Sequence, residues 1–270
     1  MRDTLGDVRI IPTHREVSQL TRRSVVVTGA SSGLGAHIVR RLVSDGNRVV
    51  AAARRRKLLE ELAEELADAA GEILTVEADV TDEEDVASMI GEAVKGFGGI
   101  DALVNNAGME VQGSIDELGI EDFEKMLRTN VLGPYLCTTA ALPHLAETGG
   151  AVVNIGSTVV VRAPRNRFGY VASKGALESM SLALAGDLGD RGVRVNVVRP
   201  GIVPSELRGL TEEEEMSTIG ARSSKLQALP EVGEGADVAG AVAYLISDDA
   251  KWVTGAVLDI DGGFSLGISR

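Results

Sequence analysis

The feature that most constrains the fold of this chain is a regular alternation of short apolar runs with longer amphipathic runs from residue 24 onward. A short Val/Ile/Ala-rich run bounded by turn residues is typical of a strand covered on both faces. The predicted strands are Ser24–Thr28, Arg48–Ala53, Ile73–Ala78, Ala102–Asn105, Ala151–Ile155, Arg194–Arg199 and Ala256–Ile260. Strict alternation of strands with helices predicts an α/β protein with a doubly wound, seven-stranded parallel sheet.

Helical patterns fill the intervals between these strands. They cover Leu34–Ser44, Lys57–Ala70, Glu83–Phe97, Ile120–Leu145, Val171–Leu188 and Asp237–Ser247. Thr81 and Glu84 have the spacing of a capping box at the start of the third helix. No linker or repeat divides the pattern, so we predict a single domain over residues 24–270. Residues 205–235 contain no strand, and an excursion at this edge of the sheet predicts a lid over a ligand crevice.

Composition narrows the classes of partner and of location. The formal net charge of −13 argues against nucleic acid and against a membrane surface, and no apolar run is long enough to cross a bilayer. Cys137 is the only cysteine, so an intrachain disulfide and a cysteine-rich metal site are excluded, and we predict no metal. Residues 1–23 mix arginines with acids and lack an apolar signal core, which predicts a mobile tail on a cytoplasmic protein.

The first predicted strand runs into a glycine-rich turn, Thr28-Gly29-Ala30-Ser31-Ser32-Gly33-Leu34-Gly35. Glycines at a strand-to-helix turn let the backbone approach a pyrophosphate, and the N-terminus of the following helix attracts its charge. The spacing Gly-x-x-x-Gly-x-Gly differs from the commoner fingerprint Gly-x-Gly-x-x-Gly, but its place between strand and helix is the context that such a site requires. The turn therefore predicts a dinucleotide site.

Tyr170 and Lys174 lie four positions apart at the start of a predicted helix, so both side chains can project from one face. A lysine ammonium beside a tyrosine favours the phenolate and lowers the tyrosine pKa from its ordinary value of about 10. The pair is therefore a candidate general acid and base for an alcohol oxygen. Because such pairs also occur by chance on exposed helices, the assignment depends on the rest of the chain.

Six motifs follow one another along the chain: Thr28-Gly29-x-x-x-Gly33-x-Gly35, Asn105-Asn106-Ala107-Gly108, Asn130, Ser157, Tyr170-x-x-x-Lys174 and Pro200-Gly201. This series resembles that of the classical short-chain dehydrogenase/reductase family. The motifs occur in the family's order, and the resemblance covers residues 23–264. It implies a Rossmann fold, a nicotinamide dinucleotide cofactor, and hydride transfer between a carbonyl and a secondary alcohol.

The resemblance also implies a role for each site residue. Tyr170 would exchange a proton with the substrate oxygen, Lys174 would lower the Tyr170 pKa and bind the nicotinamide ribose, and Ser157 would hydrogen-bond the substrate oxygen. Asn130 would hold a water in the proton path to Lys174. The predicted cofactor-binding residues are Gly29, Ser31, Ser32, Gly33, Leu34, Gly35, Arg54, Asp79, Val80, Asn106, Ala107, Gly108, Tyr170, Lys174, Pro200, Gly201, Val203 and Ser205.

The end of the second predicted strand indicates which dinucleotide is preferred. An enzyme that prefers NAD(H) commonly has an acid there for the ribose 2′-hydroxyl, but this strand ends in Ala53 and runs into Arg54, Arg55 and Arg56. A guanidinium suits a 2′-phosphate, so we predict NADP(H) in preference to NAD(H), with Arg54 as the best-placed contact. Two observations oppose this: Ser32 stands where many NADP-preferring relatives carry a basic residue, and the arginines can equally begin a solvated helix.

The substrate is less well defined by the sequence. Arg162, Arg165 and Arg167 either meet an anionic group of a carrier-linked substrate or belong to an exposed loop. Within the family, the general likeness is to 3-oxoacyl-carrier-protein reductases and to sugar or polyol dehydrogenases. A non-catalytic dinucleotide-binding regulator is the alternative from another class, and the intact catalytic residues argue against it. A Rossmann-type methyltransferase would leave the arginines and the Tyr/Lys pair without a role.

Association is a further expectation from the resemblance. The helices predicted at 120–145 and 171–188 correspond to those that pair between subunits in the family. The resemblance therefore implies a homo-oligomer, either a tetramer or a dimer.

Overall fold

Seven parallel strands form one sheet in the computed structural model, which describes residues 22–205, 207, 214 and 225–267. The strands are β1 (Ser24–Thr28), β2 (Arg48–Ala53), β3 (Glu72–Glu77), β4 (Ala102–Asn105), β5 (Ala151–Ile155), β6 (Arg194–Pro200) and β7 (Val257–Ile260). Their order across the sheet is β3-β2-β1-β4-β5-β6-β7. The winding reverses between β1 and β4, and parallel sheets open a ligand crevice at the carboxyl ends of the strands at such a point. The predicted α/β class and sheet are confirmed.

Helices cover both faces of this sheet. They are α1 (Gly33–Ser44), α2 (Arg56–Glu65), α3 (Glu83–Phe97), α4 (Ile120–Leu127), α5 (Gly133–Thr148), α6 (Phe168–Asp187) and α7 (Gly235–Ile246). The first two helices and α7 bury their apolar residues against one face, and α3, α5 and the end of α6 bury theirs against the other. None of the helices in the described part of the chain is long and apolar enough to cross a membrane.

A short polar network inside the core aligns the strands that lead to the crevice. Asn105 Nδ2 at the end of β4 donates to Asn154 Oδ1 on β5 at 2.8 Å, and Asn154 Nδ2 donates to Ser181 Oγ on α6 at 2.7 Å. Both asparagines are buried, and buried amides are retained at low cost only when they are hydrogen-bonded in this way. The network therefore fixes α6 against the ends of β4 and β5.

The helix predicted over 120–145 is interrupted in the structure. Residues Arg128–Leu132 form a π-helical turn between α4 and α5. Asn130 lies within this turn. Its side-chain amide hydrogen-bonds the backbone N–H and carbonyl of Met109, which lie outside the helix. Gly133, at the start of α5, packs so closely on the chain that a Cβ there would lie 2.8 Å from Val80 Cγ2. The prediction of one regular helix was wrong at this point.

Two smaller predictions were also wrong. The second helix ends at Glu65 rather than at residue 70, because the chain must turn back to Gly71, where a Cβ would lie 2.1 Å from Asn47 O. The N-cap of α3 is Asp82, whose carboxylate accepts the backbone N–H groups of Glu84 and Asp85. The hydroxyl of Thr81 instead donates to Asp79 Oδ1 at 2.8 Å, so the predicted capping box does not form.

Part of the predicted domain layout lies outside the described residues. Of the predicted tail over 1–23, the structure describes only Arg22 and Arg23. Of the predicted lid over 205–235, it describes residues 205, 207, 214 and 225–235. The tail and the lid therefore stay predictions.

Candidate active site

A cleft of about 920 Å³ lies along the carboxyl ends of the strands. Every residue predicted from the sequence to bind the cofactor lines this cleft, and so does Ser157. Asn130 is the one predicted catalytic residue that does not line it, since it lies fully buried behind the wall. The volume is at the upper end of the range for small-molecule and cofactor sites. The structure thus brings together residues that are spread over more than half of the chain.

The glycine-rich turn is pressed tightly against the neighbouring segment. Gly29 has a φ of +65°, and a Cβ on it would lie 2.7 Å from Ala107 Cα. A Cβ on Gly35 would lie 2.1 Å from Gly29 O. Asn106 Nδ2 donates to Thr28 O at 2.9 Å and to Gly29 O at 3.1 Å, which locks the turn in place. Only glycine fits at these two positions, so the backbone can approach a ligand closely.

The N-terminus of α1 opens into the cleft without a side-chain cap. Ser32 is the N-cap residue and makes no capping hydrogen bond, while Gly33, Leu34 and Gly35 line the cleft. Uncapped N–H groups at a helix N-terminus favour a phosphate through both hydrogen bonding and the helix dipole. The residues present therefore fit the pyrophosphate of a dinucleotide.

The arginines after β2 differ in position from the sequence-based expectation. Arg55 lies across the glycine-rich turn, where Nε donates to Ser31 Oγ at 3.2 Å and Nη2 donates to Ser32 Oγ. Arg54 is 78% exposed, and its Nη1 lies 3.7 Å from an oxygen of Asp79. Both arginines line the cleft, but Arg55 is the one held against the predicted phosphate-binding turn. Because Arg54 and Arg55 are adjacent in the sequence, only the folded position of the turn that carries the two serines distinguishes them.

Asn130 connects three parts of the site from its π-helical turn. Its Oδ1 accepts the N–H of Met109 at 2.8 Å, and its Nδ2 donates to Met109 O and to Ser173 Oγ, both at 2.9 Å. A Cβ on Gly108 would lie 3.3 Å from Asn130 Oδ1 and 3.5 Å from Lys174 Nζ. Gly108 therefore leaves Asn130 and Lys174 on either side of a narrow gap. Isolated π-helical turns are often found at functional sites.

Tyr170 and Lys174 lie on the first turns of α6, and both side chains are buried. Lys174 Nζ donates to the carbonyl of Ile155, the last residue of β5, at 2.7 Å. It lies 5.8 Å from the centroid of the Tyr170 ring. Ser157 follows β5 on the same side, and its Oγ accepts the N–H of Val159 at 3.3 Å. The end of β5 and the start of α6 thus hold the three groups at one end of the cleft.

Burial has the largest effect on the pKa values of Tyr170 and Lys174. It raises the pKa of Tyr170, the Glu110 carboxylate raises this pKa further, and Arg167 and a hydrogen bond with Ser157 lower it. The net direction is opposite to the one predicted from Lys174. The reason is that the Tyr170 hydroxyl is buried, and the loss of hydration disfavours the phenolate by more than Arg167 and Ser157 favour it. Burial lowers the pKa of Lys174 to about 8, so this lysine titrates close to neutral pH.

An ion pair at the same end of the cleft escaped the sequence-based prediction. Glu110 follows the Asn106-Ala107-Gly108 motif, and both of its carboxylate oxygens accept hydrogen bonds from Arg167. Its side chain is 0% exposed, and that of Arg167 is 22% exposed. Their separation in the chain gives no local pattern by which a sequence could reveal the pair. The sequence offered two alternatives for Arg167, a contact with an anionic substrate group or a place in an exposed loop. The structure shows neither, since the guanidinium is held by the Glu110 carboxylate within the site.

The other two arginines of this loop are placed differently. Arg162 Nη1 donates to Leu226 O at 3.1 Å and to Phe264 O at 2.9 Å, and its guanidinium lies 4.4 Å from the Phe264 ring centroid. Arg162 thus ties the loop before α6 to the segment after residue 225. Arg165 is exposed and does not line the cleft, as the loop alternative predicts.

Comparison with known sequences identifies the family. The profile of a family described as Enoyl-(Acyl carrier protein) reductase matches residues 29–265. An uncharacterized oxidoreductase of Methylorubrum extorquens is 39% identical over 256 residues, which cover 92% of this chain and 99% of that protein. The 2-(R)-hydroxypropyl-CoM dehydrogenase of Xanthobacter autotrophicus is 38% identical over 251 residues, which cover 90% of this chain and 98% of that protein.

Solved structures agree with these sequence matches. A short-chain type dehydrogenase/reductase from Mycobacterium ulcerans matches with a TM-score of 0.85 at 29% identity, covering 92% of this chain and 91% of that one. A 3-ketoacyl-(acyl-carrier-protein) reductase from Brucella melitensis complexed with NADH gives 0.79 at 32% identity, covering 89% and 97%. A blue fluorescent protein from a metagenomic library, in complex with NADPH, gives 0.78 at 35% identity, covering 89% and 96%.

The chain belongs to the short-chain dehydrogenase/reductase family. It is an oxidoreductase of alcohol or carbonyl substrates with a Rossmann-type fold. The resemblance drawn from the sequence motifs is therefore confirmed, and the family binds a nicotinamide dinucleotide.

Proposed function

We propose that this protein is an NADP(H)-dependent reductase that interconverts a carbonyl and a secondary alcohol. The observation that carries the proposal is the arrangement of the cleft. An uncapped helix N-terminus beside Arg55 forms one end, and the half-buried Ser157 lies with the buried Tyr170 and Lys174 at the other. A dinucleotide fits between the two ends with its phosphates at the first and its reactive ring at the second.

The chain's own residues account for the proton transfer. Bound nicotinamide supplies or accepts the hydride at the substrate carbon. The Ser157 hydroxyl holds the substrate oxygen, and the Tyr170 hydroxyl donates its proton to that oxygen during reduction. Lys174, whose pKa burial lowers to about 8, can release a proton near neutral pH. Asn130 flanks the same gap as Lys174, which supports a relay through a water at Gly108.

The cofactor preference rests on the end of β2. This strand ends in Ala53 without a carboxylate for a ribose 2′-hydroxyl, and Arg54 and Arg55 line the cleft beyond it. A 2′-phosphate would meet two guanidinium groups there, and one of them, that of Arg54, also lies 3.7 Å from an oxygen of Asp79. The structural neighbours named above include one complex with NADH and one with NADPH, so the preference is argued from these residues alone.

The substrate end of the cleft supports two substrate classes. Val159, Leu207, Leu226 and Phe264 line it with apolar side chains, which favours a ketone on an alkyl chain, as in a 3-oxoacyl-carrier-protein substrate. A sugar or polyol dehydrogenase is the second candidate. The Glu110–Arg167 pair favours it, because a neutral pair of polar groups can hydrogen-bond hydroxyls.

We also include self-association in the proposal. Tyr135 on α5 is 50% exposed, and Leu182 on α6 is 44% exposed, so both helices present large apolar side chains outward. Exposed apolar positions on adjacent helices favour pairing with a second copy. Sedimentation at micromolar concentration should give a dimer or tetramer, and a monodisperse monomer would refute this part.

The test is a panel of ketones, 3-oxoacyl thioesters, sugars and polyols, assayed with NADPH and NADH side by side. We expect carbonyl reduction with a kcat/KM at least about tenfold higher for NADPH. A clear preference for NADH would refute the argument from the arginines. A protein that binds NADPH but turns over no substrate in either direction would favour the non-catalytic regulator instead.

A further inference from the structure

The Glu110–Arg167 ion pair lies beside the reacting groups, yet the proposed proton transfer does not use it. Both residues line the cleft together with Ser157 and Tyr170. The carboxylate of Glu110 is fully buried and bonds through both oxygens to Nε and Nη2 of Arg167. A buried carboxylate of this kind is tolerated because a guanidinium neutralises it and satisfies its oxygens. The pair is therefore a fixed, electrically neutral unit in the wall of the substrate end.

The backbone on both sides of Glu110 is anchored. Met109 exchanges two hydrogen bonds with the side chain of Asn130. Val111 donates its N–H to Met126 Sδ at 3.4 Å. Glu110 thus has little freedom to leave Arg167, and Asn130, a predicted catalytic residue, helps to hold it.

Arg167 is anchored from the opposite side. Asn166 has a φ of 61°, a left-handed conformation that turns the chain into α6, and its carbonyl accepts the N–H of Gly113 at 2.8 Å. Arg167 is the N-cap residue of α6, and its Cζ lies 5.6 Å from the centroid of the Tyr170 ring. The loop after β4 and the loop before α6 are therefore tied together at the pair.

The guanidinium, rather than the carboxylate, is the part that a substrate can reach. Nε and Nη2 of Arg167 are engaged by Glu110, and Nη1 has no partner among the described residues. Glu110 takes the Nε–H and one Nη2–H, so the N–H groups that remain on Nη1 and Nη2 are available as hydrogen-bond donors to a substrate. The negative charge of Glu110 offsets the positive charge of the Arg167 guanidinium that makes those bonds.

From this geometry we infer that Arg167, neutralised by Glu110, is a specificity-determining donor for an uncharged substrate oxygen close to the reacting carbonyl. An ester, thioester or hydroxyl oxygen satisfies Nη1. A carboxylate at the same place is disfavoured because the negative charge of Glu110 lies directly behind the guanidinium and cancels its attraction. The inference rests on the proposed carbonyl chemistry and narrows its substrate class to compounds that are neutral beside the reacting carbon.

The remaining charges around the pair determine what its removal would do. Arg162 keeps its positive charge, because its Nη1 partners are the carbonyls of Leu226 and Phe264. Lys174 is buried on the other side of Tyr170. With the Glu110 charge removed, this end of the cleft would be positive and Arg167 would be available to an anion.

The experiment compares acetoacetate with ethyl acetoacetate, which share one reacting ketone and differ in charge. We expect the wild type to prefer the ester. Glu110→Gln keeps the shape of the side chain and removes its charge, so it should raise the ratio of kcat/KM for acetoacetate to that for the ester by about tenfold. The matched control is Arg165→Gln, an exposed arginine of the same loop that does not line the cleft, and it should leave the ratio unchanged.

The double variant Glu110→Gln with Arg167→Gln tests whether the gain depends on the guanidinium. It replaces the buried ion pair by two amides, so it should lose most of the gain of about tenfold, because no cation remains at this position. A small gain over the wild type should remain, because the Arg167 donor for the ester oxygen is also gone. If Glu110→Gln alone does not fold, this small weakening of the ester preference in the double variant still tests the inference. A defect that is merely structural would lower both substrates alike and leave the ratio in place.

Two results would overturn the inference: an unchanged ratio in folded Glu110→Gln, or a gain in the double variant as large as that in Glu110→Gln. If the wild type reduces neither compound, calorimetric binding of both to the NADP⁺-loaded protein gives the same ratio. Failure of every carbonyl in the wider panel would count against the proposed function instead, so the two failures can be told apart.

Discussion

The two ends of the cleft differ in how firmly the chain holds its functional groups. At the proton-transfer end, Tyr170, Lys174 and Asn130 are buried. Backbone groups hydrogen-bond the Lys174 ammonium and the Asn130 amide, and Ser157 hydrogen-bonds the Tyr170 hydroxyl. At the opposite end, Arg54 is 78% exposed, and Arg55 is also exposed and donates to the hydroxyls of the half-buried Ser31 and Ser32. Proton transfer needs desolvated groups in fixed positions, whereas a guanidinium can recognise a phosphate from a flexible, hydrated side chain. Changes at the first end should therefore abolish the reaction, and changes at the second should alter cofactor choice.

The largest expected effect tests the buried end. Tyr170→Phe removes the hydroxyl that donates the proton, so kcat/KM for carbonyl reduction should fall by about a thousandfold. NADPH affinity, measured by fluorescence titration, should change by less than about threefold because the ring remains. Tyr135→Phe is the control, since this hydroxyl lies on the exposed face of α5. A Tyr170→Phe protein with more than a tenth of wild-type activity would contradict the assigned role.

The next largest effect concerns the turn that joins the two ends. In Gly35→Ala the new methyl would lie 2.1 Å from Gly29 O, so the turn and the start of α1 must move. A displacement of this kind should weaken NADPH binding by about a hundredfold. Gly91→Ala on α3 meets nothing within 4 Å and should instead stabilise the protein by about 0.5–1 kcal/mol. Binding titrations and thermal melts distinguish the two outcomes, and normal binding by Gly35→Ala would show that the turn is less tightly packed than described.

A smaller effect measures the cost of burying Lys174. Its folded pKa of about 8 is below the ordinary value of 10.5, so between these pH values the unfolded state binds more protons than the folded state. Stability therefore rises with pH over that window, by on the order of 3 kcal/mol in total, and the cost is fully present below pH 8. In Lys174→Met this rise should be absent. Urea unfolding of both proteins from pH 7 to pH 10 checks the sign, and parallel curves would mean that the ammonium is not desolvated.

The smallest expected effect belongs to the exposed end. Arg55→Ser should raise the KM for NADPH by about tenfold and leave that for NADH unchanged, because only NADPH carries the 2′-phosphate. Arg54→Ser should give a weaker effect of the same kind. Arg56→Ser is the control, since Arg56 pairs with Glu60 and does not line the cleft. Equal losses for both cofactors would place these arginines on the pyrophosphate rather than on the 2′-phosphate.

The sequence was most informative where function depends on spacing along the chain. Five of the seven strands begin at the predicted residue, and the motif residues Ser157, Tyr170 and Lys174 lie together in the cleft as predicted. A strand that lies between two layers of helices is a short run of apolar residues, and a sequence motif gives its residues the same local geometry wherever it occurs. These features are local, so a linear pattern is enough to find them.

What the sequence could not reveal depends on contacts between distant segments. Arg54 and Arg55 are adjacent and identical in type, so the sequence does not show which of them contacts the turn with the two serines; the folded position of that turn does. Glu110 and Arg167 meet across two loops that pattern analysis treats separately. The direction of the Tyr170 pKa also escaped prediction, because burial opposes the effect of a neighbouring lysine and burial is a property of the folded chain. A structure is needed to show which of two adjacent side chains faces a site, which residues pair across two loops, and which groups are desolvated.

The π-helical turn at Arg128–Leu132 makes this stretch sensitive to length in a way that composition does not show. Such a turn accommodates one residue more than a regular helix of the same rise, and each residue of a helix rotates the following side chains by about 100°. Deleting a single residue between Glu121 and Leu127 would let the two helices join as one regular and more stable rod. The same deletion would rotate the side-chain amide of Asn130 away from Met109 and Ser173. The helix would become more regular, but the hydrogen bonds that place Asn130 in the site would be lost.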